Sequence, residues 1–394
     1  MKVIFVGLMF SERSLLDAHK YSPIGVQMAP QNFQKNLIHG MEACEDVTVD
    51  LVNVIPVGSY PKNYKKLFIK GGKWGKDNFE PTFINLPWIK RKMQKKTITK
   101  FIEDKVEKYG VEDTVVVFYH IFKPFLEVAE KIKKKHPNLR TCAIMTDPLP
   151  GCSDISKRVS DEAERKGKKL VEMSKKIDGF ILLTDYMAEA LDVGVRPYTV
   201  IECICDVNQP PNSFNSQTGN ACLYTGTVEA EYGIRELANA FVGLNNASLT
   251  ICGGGDSATY LREMSRRYDN INYLGFVNSS EVARLRNECD FLINPRRPTG
   301  TYTKYSFPSK TAEYMASGKP VIMYKLEGIP DEYDNFLVYL KGNSVEQIRE
   351  ELNEIFAGDY SHYQKIGESA REFVIRNKST IAQGKRVVDF LKGI

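Results

Sequence analysis

The sequence contains no C-x-x-C pair and no H-x-x-x-H or H-E-x-x-H grouping, so the spacings that announce a structural zinc or a dithiol redox centre are missing. Its eight cysteines, at 44, 142, 152, 203, 205, 222, 252 and 289, lie mostly inside apolar strand-like runs and read as reduced core residues. The five histidines are scattered. No apolar run approaches the roughly 20 residues of a membrane-spanning helix, and the opening MKVIFVGLMF runs into polar SERS without a small-residue cleavage site. A cytoplasmic protein is the expectation. There is no short-period internal repeat and no nucleic-acid-binding motif, so nucleic acid is not an expected partner.

What the chain does have is length and an uneven charge. Its 394 residues suffice for two ordinary domains. The net charge of +5 belongs to the first half, where residues 1–206 carry 33 basic and 27 acidic side chains against 21 and 22 in the remainder. Within it, residues 61–100 hold 12 Lys or Arg against only Asp77 and Glu80, and both tryptophans, Trp74 and Trp88, fall there. Basic residues interleaved with aromatic rings suit an anionic membrane surface. A solvated charged loop is the other reading of the same stretch.

Short Val/Ile-rich runs alternate with amphipathic stretches along the chain: VIFVG at 3, VTVDLVNVI at 47, VVVF at 115, TCAIMTD at 141, GFILLT at 179 and TVIECI at 199. Runs that are apolar throughout are what a parallel strand buried on both faces requires. KPFLEVAEKIKKK, 123–135, is a helix candidate with Phe125, Val128, Ala129 and Ile132 on one stripe. At 206–220 the text turns to DVNQPPNSFNSQTGN, a linker composition. A second series follows: CLYTG at 222, SLTICGGG at 248, INYLGFV at 271, FLINP at 291, PVIMY at 320 and FLVYL at 336. The expectation is an α/β protein with two doubly wound domains facing across a cleft: 1–206, a linker at 207–220, 221–377, and a last helix at 378–394 returning to the first domain.

Several second-half strands end on residues suited to an anion. CLYTG closes on Gly226-Thr227, and SLTICGGG on Gly253, Gly254 and Gly255, where backbone can approach a ligand or simply turn tightly. FLINP leads into Arg296-Arg297, and the next loop delivers Lys304 to a helix beginning near Pro308-Ser309, with Lys310 in its first turn. Cations beside a helix N-terminus are unfavourable unless an anion lies between them, and a phosphate would be one. Each lysine taken singly also reads as a solvated surface charge. Glu313, amid Ala312, Tyr314 and Met315, could accept from two ribose hydroxyls or pair with Lys310 three residues earlier.

These residues carry a resemblance. LYTGT at 223, GGG, YLGFVNSSEVARLRNECDFLINP and SFPSKTAEYMASGKPVI occur in the order found in the donor-binding domain of GT-B glycosyltransferases. The similar family is the large retaining one that includes sucrose synthases and bacterial mannosyl and polysaccharide-assembling transferases. The first half resembles the family's acceptor domain in GVQMAPQNFQKNLIHGM, YHIFKP and MTDPLPG.

The resemblance implies that Glu313 grips the donor ribose. It implies that the amides of Ser306, Phe307, Pro308 (through its flanking residues), Ser309 and Lys310 hold the diphosphate, that main chain at Phe276 and Val277 reads the base, and that His120 reaches the transferred sugar. Two departures stand out. Tyr305 replaces the glutamate expected eight positions before Glu313, and Thr227 and Tyr232 stand where an Arg and a Lys normally flank the diphosphate. Arg296, Lys304 and Lys310 are the available substitutes.

The implied reaction is retaining transfer of a sugar from a nucleotide diphosphate sugar, UDP favoured, to a glycan or lipid-diphosphate-linked acceptor in bacterial surface polysaccharide assembly. No cofactor is expected, and without a D-x-D triplet no metal is either. Two alternatives stay open: a non-catalytic GT-B subunit supporting a partner transferase, and a sugar-nucleotide epimerase of the same fold.

Overall fold

The computed structural model describes residues 1–22, 28–75, 78–152, 161–207 and 220–394. The expected linker at 207–220 therefore lies outside the described residues apart from its two ends, as do residues 25–27 of the acceptor-like motif. The chain divides into two compact units, Met1–Ile204 with Thr380–Ile394, and Cys205–Ser379.

The first unit opens with β1 (Lys2–Gly7), α1 (Glu12–Tyr21), α2 (Met28–Glu42) and β2 (Thr48–Asn53), then the short β3 (Phe68–Ile69), β4 (Gly72–Trp74), β5 (Asn78–Glu80) and β6 (Phe83–Ile84). It continues with α3 (Pro87–Tyr109), β7 (Thr114–Tyr119), α4 (Lys123–Lys135), β8 (Arg140–Met145), α5 (Asp161–Ser174), β9 (Gly179–Leu182), α6 (Tyr186–Ala190) and β10 (Tyr198–Val200). Its eight-stranded sheet runs β10-β9-β8-β7-β1-β2-β5-β4. All its pairings are parallel except β4 with β5. The run TVVVFY is buried at every position, the requirement of a strand covered on both faces. The antiparallel edge and the separate β3–β6 ribbon occupy the basic stretch whose sequence shows no strand periodicity.

The second unit is built from β11 (Ala221–Thr225), α7 (Ile234–Phe241), β12 (Ser248–Cys252), α8 (Ala258–Arg267), β13 (Ile271–Gly275), α9 (Ser279–Glu288) and β14 (Phe291–Asn294). After these come α10 (Ser309–Ala316), β15 (Val321–Tyr324), β16 (Val338–Leu340), α11 (Val345–Ala357) and α12 (Tyr360–Asn377). Its six strands run β13-β12-β11-β14-β15-β16, every pairing parallel.

The last helix, α13 (Thr380–Gly393), belongs to the first unit. Val387, Val388 and Leu391 complete the core around Val3, Phe5, Leu37, Val115 and Ile144, each such burial stabilising by about 1.5–3 kcal/mol. The helix can lie so close because α13 meets α2 at glycines: a Cβ on Gly40 would sit 2.1 Å from the Thr380 carbonyl oxygen. Among the described residues, no helix is long and apolar enough to cross a membrane.

Candidate functional site

The strand order of the second unit reverses between β11 and β14. Loops leaving those neighbouring strand ends part in opposite directions, which opens a crevice where ligands of open α/β sheets bind. Gly226-Thr227 follow β11 and Arg296 follows β14 by one residue beyond Pro295, so both fall at this point. Tyr314 of α10 reaches the end of β11. Its hydroxyl accepts from the Thr225 amide at 2.8 Å and donates to the Thr225 carbonyl at 3.1 Å, fixing the end of β11. Burial pushes the Tyr314 hydroxyl up to about 12, so it stays a donor.

Arg296 lies between two aromatic rings, its guanidinium 5.1 Å from the Tyr232 centroid and 4.9 Å from that of Tyr302. A guanidinium stacked this way keeps its in-plane N–H groups for a planar anion. The Arg296 Nε, the Tyr302 hydroxyl and the Ser306 Oγ are buried without a hydrogen-bond partner. Such groups cost about 1–3 kcal/mol each, and three within one loop suit a polar ligand there.

Helix α10 starts at Ser309 after Pro308, with no side-chain cap and no acidic residue in its first turn, so the Ser309 and Lys310 amides meet no side-chain cap. Proline is favoured at such a start because it cannot donate to a preceding turn. Phe307 is buried and packs against Tyr333 at 5.2 Å, anchoring the loop from below. Lys310 Nζ pairs with Glu313 at 2.7 Å and Lys304 Nζ with Glu327 at 3.4 Å. All four side chains are well exposed, so these pairs are weak and exchangeable. Tyr305 ends the 3-10 turn Thr301–Tyr305 that leads to the helix.

The triple glycine is explained largely by packing. Gly253 has φ 137° and a Cβ there would lie 1.7 Å from the Gly226 carbonyl oxygen; on Gly254 it would lie 2.3 Å from the Phe276 ring. Phe276 therefore rests on bare backbone while remaining 88% exposed. An aromatic face held in water next to a strand end can take a second flat ring. Val277 follows it, half-buried.

His120 belongs to the first unit, at the carboxyl end of β7 beside β1, and adopts φ 78°. It opens with Asp147, Tyr119, Gln31 and Leu8 into a cavity of about 390 Å³. Burial holds the His120 imidazole below its ordinary value, with the Asp147 charge opposing. Its Nδ1 and the Gln31 Nε2 are both buried without a partner, while Gln31 Oε1 accepts from the Phe10 amide at 3.0 Å. Two unsatisfied polar groups in one cavity suit a hydroxyl-rich ligand.

The structure thus brings Gly226, Thr227, Gly253, Gly254, Phe276, Val277, Arg296, Lys304, Tyr305, Ser306, Phe307, Pro308, Ser309, Lys310 and Glu313 to one end of the second sheet, and His120 to the equivalent end of the first. Sequence reasoning missed the aromatic clamp on Arg296, the Tyr314 anchor and Gln31. None carries a local signal, because each acts through a partner on another element.

Residues 219–357 match the family model described as glycosyl transferases group 1. Among solved structures, the chain is similar to sucrose-phosphate synthase from Thermosynechococcus elongatus, with 14% identity and a TM-score of 0.65 over 100% of this chain and 98% of that one. It is similar to Anabaena Alr3699/HepE in complex with UDP, with 12% identity and a TM-score of 0.67 over 100% of both chains. HepE has also been solved with UDP-glucose. A variant of S. aureus TarM in complex with Fondaparinux, alpha-GlcNAc-glycerol and UDP is similar too, with 12% identity and a TM-score of 0.60 over 99% of this chain and 100% of that one. No curated protein sequence matches the chain.

Proposed function

We propose that the chain, whose residues 219–357 match the glycosyl transferases group 1 model and whose fold is that of GT-B structures such as HepE, transfers a sugar from a nucleotide diphosphate sugar to a hydroxyl of a glycan or lipid-linked oligosaccharide. UDP is the favoured nucleotide, since HepE and TarM were both solved with it. The transfer retains configuration, needs no metal, and serves assembly of a surface polysaccharide from the cytoplasmic side.

The observation that carries this reading is Arg296, stacked between Tyr232 and Tyr302 with a buried unpaired Nε at the strand switch point. In the proposed reaction the bond from the anomeric carbon to the β-phosphate oxygen breaks while the acceptor oxygen bonds that carbon from the same face. The acceptor's proton passes to the departing phosphate oxygen. Charge on that oxygen is the main energetic task, met by Arg296, Lys304, Lys310 and the amides from Ser306 to Lys310. Glu313 exchanges its Lys310 partner for the ribose hydroxyls, Gly226, Thr227, Gly253 and Gly254 border the donor, and main chain at Phe276 and Val277 meets the base. Tyr305 adjoins the donor-binding residues of the second unit, and His120 and Gln31 offer polar atoms to acceptor hydroxyls in the first unit's cavity.

Titration of the purified protein with UDP, GDP and ADP tests the donor assignment, followed by turnover with a panel of labelled nucleotide sugars. Preferential UDP binding with transfer or slow hydrolysis of one sugar is expected. No affinity for any of the three nucleotides overturns the reading, and binding without turnover of any donor replaces it with a non-catalytic subunit.

A further inference from the structure

Among the large apolar side chains exposed in the described residues, seven cluster between positions 60 and 89: Tyr60, Leu67, Phe68, Ile84, Leu86, Trp88 and Ile89. Backbone pairing makes them neighbours. Phe68 stands opposite Ile84 in the β3–β6 ribbon, the Asn85 amide donates to the Leu67 carbonyl at 2.7 Å, and the Tyr60 amide donates to the Asn85 carbonyl at 3.0 Å. The ribbon then runs directly into α3, whose first turn presents Trp88, 88% exposed. Contiguous apolar surface of this kind marks an interaction site.

Its surroundings are basic. Lys62, Lys65, Lys70, Arg91 and Lys92 are all exposed around it. Of the acids nearby, Glu80 is buried and accepts from Ser11, Ser14 and Asn53, Asp17 pairs with Lys66 at 2.6 Å, and Glu127 pairs with Lys95. The first turn of α3 has no acid, so Arg91 and Lys92 sit against the positive end of the helix dipole. A surface dense in negative charge removes that conflict.

The patch also has a defined place relative to the His120 cavity. Trp88, Ile89 and Arg91 form a groove with Lys123 and Pro124, which begin α4 just after His120. Lys90 Nζ donates to the Val57 carbonyl at 2.9 Å, and Val57 with Gly58 lines that cavity.

We propose that this face, with Trp88 at its centre and Arg91 and Lys92 at its rim, docks the first unit on the surface of an anionic lipid bilayer. The indole and the flanking apolar side chains enter the headgroup layer while the cations meet acidic lipid. The docked face adjoins the residues that line the His120 cavity through the Lys90–Val57 contact, which suits an acceptor carried on a lipid diphosphate. Only this last step rests on the proposed transferase reaction, and vesicle binding measured without any donor separates the two.

The test uses the full chain with Trp74→Phe, which leaves Trp88 as the sole tryptophan, mixed with phosphatidylcholine vesicles with and without phosphatidylglycerol. Salt-sensitive binding to the anionic vesicles with a blue shift of Trp88 emission is expected. Arg91→Ala with Lys92→Ala lowers binding by about 30-fold, and Trp88→Ala in the native background lowers it by at least about tenfold. Because these side chains are exposed, an unchanged melting temperature accompanies the loss. Equal binding to neutral vesicles in high salt overturns the proposal, as does unshifted Trp88 emission. So does binding of a soluble polyanion such as heparin in preference to vesicles, or a Trp88-dependent dimer that ignores lipid.

Discussion

Replacing Lys310 with alanine separates a catalytic role from a structural one, because the structure assigns the two roles very different sizes. In the folded protein Lys310 Nζ meets Glu313 at 2.7 Å, with side chains 41% and 47% exposed. An exposed helix pair at this spacing contributes about 0.3–0.5 kcal/mol, which for a unit of this size moves the melting temperature by about 1–2 °C. Loss of one preorganised cation from a leaving diphosphate costs about 2–4 kcal/mol in the transition state, a fall in kcat of about 30- to 1000-fold.

The assay is kcat for the donor selected by nucleotide titration, alongside thermal unfolding of the same preparation. A kcat within about threefold of the parent would refute the phosphate assignment, since no surface pair could mask a loss of 2 kcal/mol. Glu313→Ala provides the complementary reading. It breaks the same ion pair, so its stability cost matches. Its functional cost instead appears as UDP affinity weakened by about 10- to 150-fold, the worth of hydrogen bonds from ribose to a charged acceptor. Equal effects of both variants on stability alone would leave the helix start as an ordinary solvated end.

Arg296→Lys keeps the charge and loses the plane that stacks on Tyr232 and Tyr302; kcat/KM is expected to fall by about 10- to 100-fold with about 1–2 kcal/mol of stability, read from kinetics and urea unfolding. Tyr314→Phe removes a buried hydroxyl and leaves the Thr225 amide unpaired, so unfolding is expected to be easier by about 1–3 kcal/mol, checked by the denaturant midpoint. His120 is held by burial below its ordinary value of 6.5. Between that depressed folded pKa and 6.5 the unfolded chain binds more protons, so His120 costs stability as pH falls through this window and is silent above it. The His120 ring signal in NMR should titrate below 6.5, and His120→Gln should lose less stability than the parent on acidification to about pH 5; a midpoint at or above 6.5 would contradict the burial argument.

The sequence made the long, continuously apolar strands legible, since a run such as TVVVFY can only be covered on both faces. KPFLEVAEKIKKK forms α4 over the residues its stripe indicates. The short β3 to β6 were not legible, because two or three residues carry no period. The helix start at Ser309 could be read from Pro308 ahead of it, and the Lys310–Glu313 pair was one of the two readings its spacing allowed, but the partner of Lys304 could not be read: it finds Glu327 across the loop. GGG admitted two readings, and at Gly253 and Gly255 close backbone packing already demands glycine.

The clamp on Arg296 bears on the substitution noted at the loop after β11. Where the resemblance implies a basic pair, this chain has Thr227 and Tyr232, which by itself would leave a departing diphosphate short of positive charge. Tyr232, however, supplies one of the two rings that hold the Arg296 guanidinium, and its partner Tyr302 comes from the loop leading to α10. The cation is thus contributed by the β14 loop and received by the β11 loop at the same strand switch point. A buried, unpaired Nε costs about 1–3 kcal/mol, which the contacts with the Tyr232 and Tyr302 rings offset and a bound anion would offset further. The aromatic at 232 and the arginine at 296 make physical sense as one device, and under the proposed function the group that would meet the buried N–H is the donor diphosphate.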